Sequence, residues 1–233
     1  MNFENKLISG DLVKRYKRFF IDIKIKNKIV TAHCANSGSM MGLLNENNKA
    51  WITEASNKKR KLKYTLQIIE ENGSMVGVNT HFTNKIVKHA LENNLIKEFG
   101  SKIKIKSEQM FGKNTRFDFF LEEKKIKSFL EVKSVTLKRK DKTAEFPDSV
   151  TSRGTKHLKE LINAKKKGFK AYLLFVIQRN DCDKFKIAKD IDPEYSKTLI
   201  KAIKNKVKIL CYDCKFSSKG IIINNKIKFQ IND

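Results

Sequence analysis

The chain has 233 residues and a formal net charge of +25, from 50 Lys and Arg against 25 Asp and Glu. Its 40% hydrophobic residues and 16 Phe are enough for a sizeable core and exclude wholesale disorder, and two Pro and 10 Gly exclude collagen-like or Pro-rich architectures. Ala171 to Ile177, the longest apolar run, is too short to cross a bilayer, which takes roughly 20 apolar residues, and MNFENKLISGDLVKRY at the start holds no apolar signal region, so no membrane association is expected. Cys34, Cys182, Cys211 and Cys214 are too few and scattered for a disulfide framework; reduced thiols in a cytoplasm are expected.

In chain order, residues 1–79 read as strands and turns. Phe19 to Lys26 alternates, with Ile21, Ile23 and Ile25 on one face, and Ile29 to Cys34 returns as a hairpin partner. Trp51 to Ala55, Leu62 to Glu70 and Met75 to Val78 follow, with Asn72-Gly73 as a turn. Five short strands without a helix suggest a small OB-fold-like β-barrel. Near Thr80 the character changes: Asn84 to Ile96 has helical spacing, with Thr83 as its expected N-cap. Strands are expected at Lys102 to Glu108, Thr115 to Glu122 and Ile126 to Lys133, then a long loop from Ser134 to Arg153. Thr155 to Lys167 reads as an amphipathic helix ending before Gly168, and Ala171 to Gln178 as a buried strand. A helix from Glu194 to Lys204, a strand from Val207 to Tyr212 and a hairpin around Asn224-Asn225 complete the chain. The expected architecture is α+β with two domains: an OB-fold-like barrel at 1–82 and, at 83–233, an α/β domain with a mixed sheet flanked by helices.

A charge this large attracts polyanions, DNA or RNA above all. Only seven of the 50 basic residues are Arg, however, and a Lys- and Asn-rich chain also follows from a biased base composition. The positions of Arg are therefore more informative than the total, because a guanidinium offers a planar bidentate fork. Arg60 and Lys61 lie in a basic run that leads into Tyr64, a pattern suited to backbone contact beside base stacking, or equally to a solubilising edge. Arg153, Lys156 and His157 cluster near an expected helix start, where free N–H groups suit a phosphate; a solvated basic helix start is the alternative. Lys138-Arg139-Lys140 sits in the long loop as either a backbone contact or a solvated tip. Asn36-Ser37-Gly38-Ser39-Met40 is a polar loop able to hold an anion or to serve as a plain turn. Cys211 and Cys214 have C-x-x-C spacing but lack an obvious second ligand pair, so ordinary thiols are expected.

The sharpest local signal is Asp118 followed by Glu131-Val132-Lys133. On a strand Glu131 and Lys133 share a face while Val132 points to the other. Pairing with the preceding strand can bring Asp118 to Glu131, and two adjacent carboxylates call for a cation such as Mg²⁺ or Mn²⁺. An exposed ion-paired strand face is the alternative. An Asp and then E-x-K across two strands, within the order α-β-β-β-α-β, resembles the PD-(D/E)XK nucleases.

Seven ordered segments resemble the SfsA family, the sugar fermentation stimulation proteins: His33 to Met40, Arg60 to Thr65, Val76 to Thr80, Arg116 to Phe119, Glu131 to Leu137, Phe146 to Asp148 and Thr151 to Leu158. The resemblance implies an N-terminal OB fold, a PD-(D/E)XK nuclease-like C-terminal domain, and binding of single- or double-stranded DNA without strong sequence preference. It also implies a regulatory role in sugar (maltose) metabolism. By the family pattern Asp118, Glu131 and Lys133 form the nuclease-type site with Glu108 as a further acid, and Arg116 belongs to the DNA-contacting set. Ser37, Asn114-Thr115 and Ser149 depart from the family's usual residues without touching that site. Two readings of function remain open, a Mg²⁺-dependent nuclease and a non-catalytic DNA-binding regulator, with an RNA-binding protein as a third.

Overall fold

The alternating isoleucines build the first layer. Ile21 and Ile23 are fully buried, and with Leu12, Ile52, Leu66 and Val76 they fill the core of a barrel. The computed structural model describes residues 1–112 and 114–230. Its first six strands are β1 (Ile8–Tyr16), β2 (Phe20–Ile25), β3 (Lys28–His33), β4 (Lys49–Glu54), β5 (Tyr64–Glu71) and β6 (Ser74–Gly77). They run in the order β3-β2-β1-β4-β5-β6, and a parallel pairing of β3 with β5 at Ala32–Tyr64 and His33–Thr65 closes the first five into a barrel.

Five strands were expected before Thr80, and β1 is the one the sequence pattern hid. Its Ser-Gly-Asp stretch looks like a turn, and a bulge between Leu12 and Lys14 breaks the alternation. Gly10 is there for close packing: a Cβ would lie 2.6 Å from both Ile23 and the Lys24 carbonyl.

The second unit contains α1 (Thr80–Glu92), β7 (Ile103–Phe111), β8 (Thr115–Glu123), β9 (Ile126–Val135), β10 (Leu137–Lys140), β11 (Thr143–Phe146), α2 (Ser152–Lys166), β12 (Lys170–Ile177), β13 (Lys184–Ile187), α3 (Pro193–Lys204), β14 (Lys208–Phe216), β15 (Ile221–Lys226) and β16 (Lys228–Gln230). Its main sheet has the order β15-β14-β12-β9-β8-β7, parallel among β14, β12 and β9 and antiparallel at both edges. One face packs on Phe82, Ile86, Val87 and Ala90 of α1. The other packs on Leu158 and Leu161 of α2 and on Tyr195 and Leu199 of α3. β12, the apolar run, lies between two strands and is buried along Ala171 to Ile177.

Several local expectations shift. α1 starts a turn early because Asn79, not Thr83, caps it: the Asn79 side chain accepts from the His81 N–H, while buried Thr83 accepts from Gln178. The helix ends before Leu95, with Asn94 in a left-handed conformation. The long loop is not structureless; β10 and β11 form a hairpin that joins β13 and β16 in a small four-stranded sheet. Lys138 and Arg139 of that hairpin are taken internally, Lys138 by Asp181 at 2.5 Å and Arg139 by Glu145 and Asp190. The last turn of the main sheet falls at Ser217 to Gly220 rather than Asn224-Asn225, whose chain is held to Asp213 instead. Gly168 follows the end of α2 at φ +87°, as its left-handed role requires.

Cys211 and Cys214, three apart on a strand, face opposite sides of the sheet in different clusters. That separates them as a ligand pair, and burial pushes both thiols up. All four cysteines are free.

Candidate functional site

A cavity of about 540 Å³ opens between the barrel and the second domain. The barrel supplies the Asn36–Gly38 loop and Arg18; the start of α1, β8, β9, β11 with the loop after it and the start of α2 supply most of the rest. Asp148 ties the loop across the gap: its carboxylate accepts from the Met40 N–H at 3.1 Å and its carbonyl from the Ser39 hydroxyl at 2.7 Å. Gly38 permits this, since a Cβ would stand 2.5 Å from Asp148 Oδ2.

Asp118 reaches the cavity because β8 is irregular there. Phe117 packs on the α2 face and Phe119 on the α1 face, although two residues apart on a strand should share a face. The ladder between β8 and β9 stops at Phe119–Leu130. The Val132 N–H beyond that point donates to Asp118 Oδ2 at 2.7 Å, and Asn84 of α1 donates to Oδ1 at 2.7 Å. Glu108 lies across from this break on β7, at φ +56°. The side chain of Glu108 is exposed and pairs with Arg116 at 2.9 Å, outside the cavity. The structure therefore does not bring Glu108 to Asp118 as a further acid; its place is a kink in the edge strand.

β9 carries the other acid. Phe129 and Val135 belong to the α2 face, and so do Glu131 and Lys133 between them, while Leu130 and Val132 face α1. Glu131 is 2% exposed. Lys133 Nζ donates to its Oε1 at 2.6 Å, and His157 Nδ1 meets the same oxygen. Oε2 is buried without a hydrogen-bond partner. A buried carboxylate oxygen left bare is costly unless a cation or donor completes it.

The two acids respond in opposite directions. Burial and then the neighbouring Glu131 charge push the Asp118 carboxyl up to about 6, against its hydrogen bonds from Val132 and Asn84. Burial pushes Glu131 up as well, but Lys133 and His157 outweigh it and hold the carboxyl below its ordinary value. A divalent cation would suit this arrangement, with oxygen donors from both carboxylates and the orphaned Oε2 as an open ligand. Among the described residues no group of three or more His, Cys, Asp and Glu side chains forms a metal cluster. The remaining ligands would be the Val132 carbonyl, water or phosphate oxygens.

The expected basic residues divide. Arg153 lines the cavity from the first turn of α2. His157 lines it too, but as a buried partner of Glu131. Lys156 turns away and donates to the Asn114 carbonyl at 3.0 Å. The helix starts at Ser152, capped by Thr151, so the three do not form one phosphate cradle at its end. Arg60 lines a separate cavity on the barrel, and Lys61 is exposed beside it. Arg18, Asn84 and Gln178 escaped the sequence reading. Arg18 had a signal, as one of the few arginines, whereas Asn84 and Gln178 are ordinary amides whose neighbours only the fold reveals. Gln178 is fully buried and backs the cavity by donating to Ser134 at 2.7 Å and Thr83 at 3.0 Å.

Residues 81–220 match the family model described as "Sugar fermentation stimulation protein RE domain", and residues 13–78 match "SfsA N-terminal OB domain". The chain belongs to the SfsA family. It is 58% identical to a sugar fermentation stimulation protein homolog from Pelagibacter ubique (strain HTCC1062), over 98% of each chain. It is 40% identical to a homolog from Maricaulis maris (strain MCS10), covering 100% of both. The solved structure of Pyrococcus furiosus SfsA in complex with Ca²⁺ superposes with a TM-score of 0.90 at 27% identity, over 99% of this chain and 98% of that one. The SfsA architecture of an N-terminal OB barrel followed by a sheet-rich domain with three helices is thus shared. No helix among the described residues is long and apolar enough to cross a membrane.

Proposed function

We propose that this SfsA-family chain is a metal-dependent nuclease that hydrolyses phosphodiester bonds of DNA in the cavity between its domains. The observation that carries the reading is that Asp118 and Glu131 line one cavity, with Glu131 Oε2 buried and unpartnered. A hard cation such as Mg²⁺ or Mn²⁺ fits those oxygens, and the Ca²⁺ of the Pyrococcus furiosus structure is a cation with the same preference. When bound, it would supply Lewis-acid stabilisation of the charge that develops on the phosphate.

The chain's own groups have separate tasks. Asp118, oriented by hydrogen bonds at both oxygens, and Glu131 would hold the cation. Lys133 is already an N–H donor at Glu131 Oε1, placed to orient a water or a phosphate oxygen beside it. His157 holds Glu131 from the α2 side and is a positioning residue. Arg153 and Arg18 approach the cavity from opposite domains and suit the flanking phosphates.

The purified protein is expected to nick plasmid or degrade single-stranded DNA with Mg²⁺ or Mn²⁺, and Asp118→Ala or Glu131→Ala to abolish this while DNA binding persists. Binding without cleavage across a broad substrate panel would favour the DNA-binding regulator of sugar metabolism. That second reading has its own support: Lys133 and His157 already contact Glu131 Oε1 without a metal. Clear preference for RNA in competition binding would move the substrate class.

A further inference from the structure

A second cavity, of about 380 Å³, opens on the barrel and shares none of the residues of the carboxylate site. Its wall combines His33 at the end of β3, Arg60 from the loop before β5 and His81 in the first turn of α1. Thr53, Thr65 and Gln67 form a buried polar floor, joined by a Gln67-to-Thr53 hydrogen bond of 2.9 Å. Arg60 gives one N–H to the Thr65 hydroxyl at 3.1 Å and keeps its remaining donors free for a ligand. Of the acids on the wall, Glu4 is taken by Lys85 at 2.8 Å and by Ser56, and Glu54 stands exposed at the strand end.

Burial first, then Arg60 and His81, hold His33 below its ordinary value. The geometry suits an anion: the Arg60 guanidinium and two imidazoles converge over a polar floor. The rings also form a run: Phe19 stacks on His33 at 6.4 Å and 20°, and His33 lies 6.5 Å from His81. Phe19 is 44% exposed, an unusual position for so large an apolar ring. Its chain neighbour Arg18 lines the carboxylate cavity. The barrel surface is therefore continuous from Arg18 in one cavity, across the Phe19 ring, to His33 and Arg60 in the other.

We propose that the second cavity seats a phosphate group of the same nucleic-acid strand whose backbone lies in the carboxylate cavity, with an unpaired base resting on Phe19 between them. This rests on the nucleic-acid reading of the first cavity. The seated group is either a strand-end phosphate or an internal backbone phosphate, since both offer the same oxygens to Arg60 and the two histidines.

The test is fluorescence anisotropy of the full chain in EDTA, so that cleavage plays no part, with single strands of about 12 nucleotides, a length within the usual span of OB-fold sites. Strands carry a 5′-phosphate, a 3′-phosphate or neither. Arg60→Gln and His33→Ala are each expected to weaken binding on the order of tenfold, as loss of a hydrogen bond to a charged group does. Phe19→Ala is expected to weaken it about tenfold through lost stacking. These are surface or half-buried positions, and circular dichroism will confirm that the variants fold. A preference of the parent for one phosphorylated end, lost in Arg60→Gln, identifies a strand end; equal weakening for all three strands identifies an internal phosphate. Unchanged binding in the Arg60, His33 and Phe19 variants, with Arg153→Gln still weakened, overturns the second seat alone. Failure of the parent to bind any strand overturns the nucleic-acid reading beneath it.

Discussion

Two places at the junction of the domains gather pairs of carboxylates, and they treat them in opposite ways. At the first, Arg179 is 1% exposed and donates to Glu71 of the barrel at 2.5 Å, to both oxygens of Asp181, and to the Thr136 carbonyl at 2.9 Å. Lys138 adds a further donor to Asp181 at 2.5 Å. Burial alone would raise Asp181, but Arg179 and Lys138 hold it far below the ordinary carboxylate range. At the second, Asp118 is pushed up to about 6 and Glu131 keeps a bare buried oxygen. The first pair shares one buried guanidinium, which joins the two domains. The second keeps one buried carboxylate oxygen without a partner, the feature on which the proposed cation site rests.

Removing one charge at each place without changing shape separates the two roles most sharply. Glu131→Gln is expected to lower metal-dependent cleavage by about a thousandfold, the several kcal/mol that a metal site supplies, with the fold retained. Asp181→Asn is expected to leave the chemistry intact and to lower the midpoint of urea unfolding. Equal loss of activity in both would erase the distinction. Arg179→Met removes the buried cation that serves both domains and is expected to cost about 3 kcal/mol of stability, read from chemical denaturation, because two half-buried acids lose their partner. The sign with pH follows: Asp181 is depressed in the fold, so its stabilising contribution is present above the unfolded value of about 4 and fades as pH falls below it.

Asp118 has the reverse sign. Its folded value is raised to about 6, so without a cation its ionisation disfavours the fold as pH rises from about 4 through 6. Mg²⁺ is expected to raise the Tm at pH 8, by up to about 3 kcal/mol of stabilisation at a hundredfold excess over Kd, and the gain should shrink as pH drops through 6. A pH-independent shift would place the cation elsewhere. The smallest effect belongs to the rim: Arg153→Gln should reduce the log–log salt slope of duplex binding by about 0.9, the signature of one phosphate contact. An unchanged slope would remove Arg153 from the DNA path.

Much of this was legible in the chain. The isoleucine alternation marks β2, the run from Ala171 marks the central strand, and Asp118 with Glu131-x-Lys133 marks residues that line one cavity, because period and residue type are local properties. What was hidden was non-local. β1 went unmarked because Gly10 serves the packing of β2 behind it and a bulge breaks its alternation. Thr83 looked like a cap but answers Gln178, nearly a hundred residues away. Glu108 was expected as a further acid of the site, yet it pairs with Arg116 and does not line the cavity. His157 looked like a phosphate donor at a helix start, yet the helix begins a turn earlier and delivers it to Glu131.

By itself, the sequence determined the class of protein, the two-part architecture and the identity of the central acids, since strand periodicity and a short acidic motif are written in adjacent residues. The tertiary structure decided which charges are satisfied. It turned Lys138, Arg139 and Arg179 inward to bind acids of the fold, left Arg18 and Arg153 at the rim of a cavity, and stripped one oxygen of Glu131 of every partner. The reason is physical: a charge's worth depends on burial and on partners that come from distant strands, and neither is encoded in the neighbouring residues.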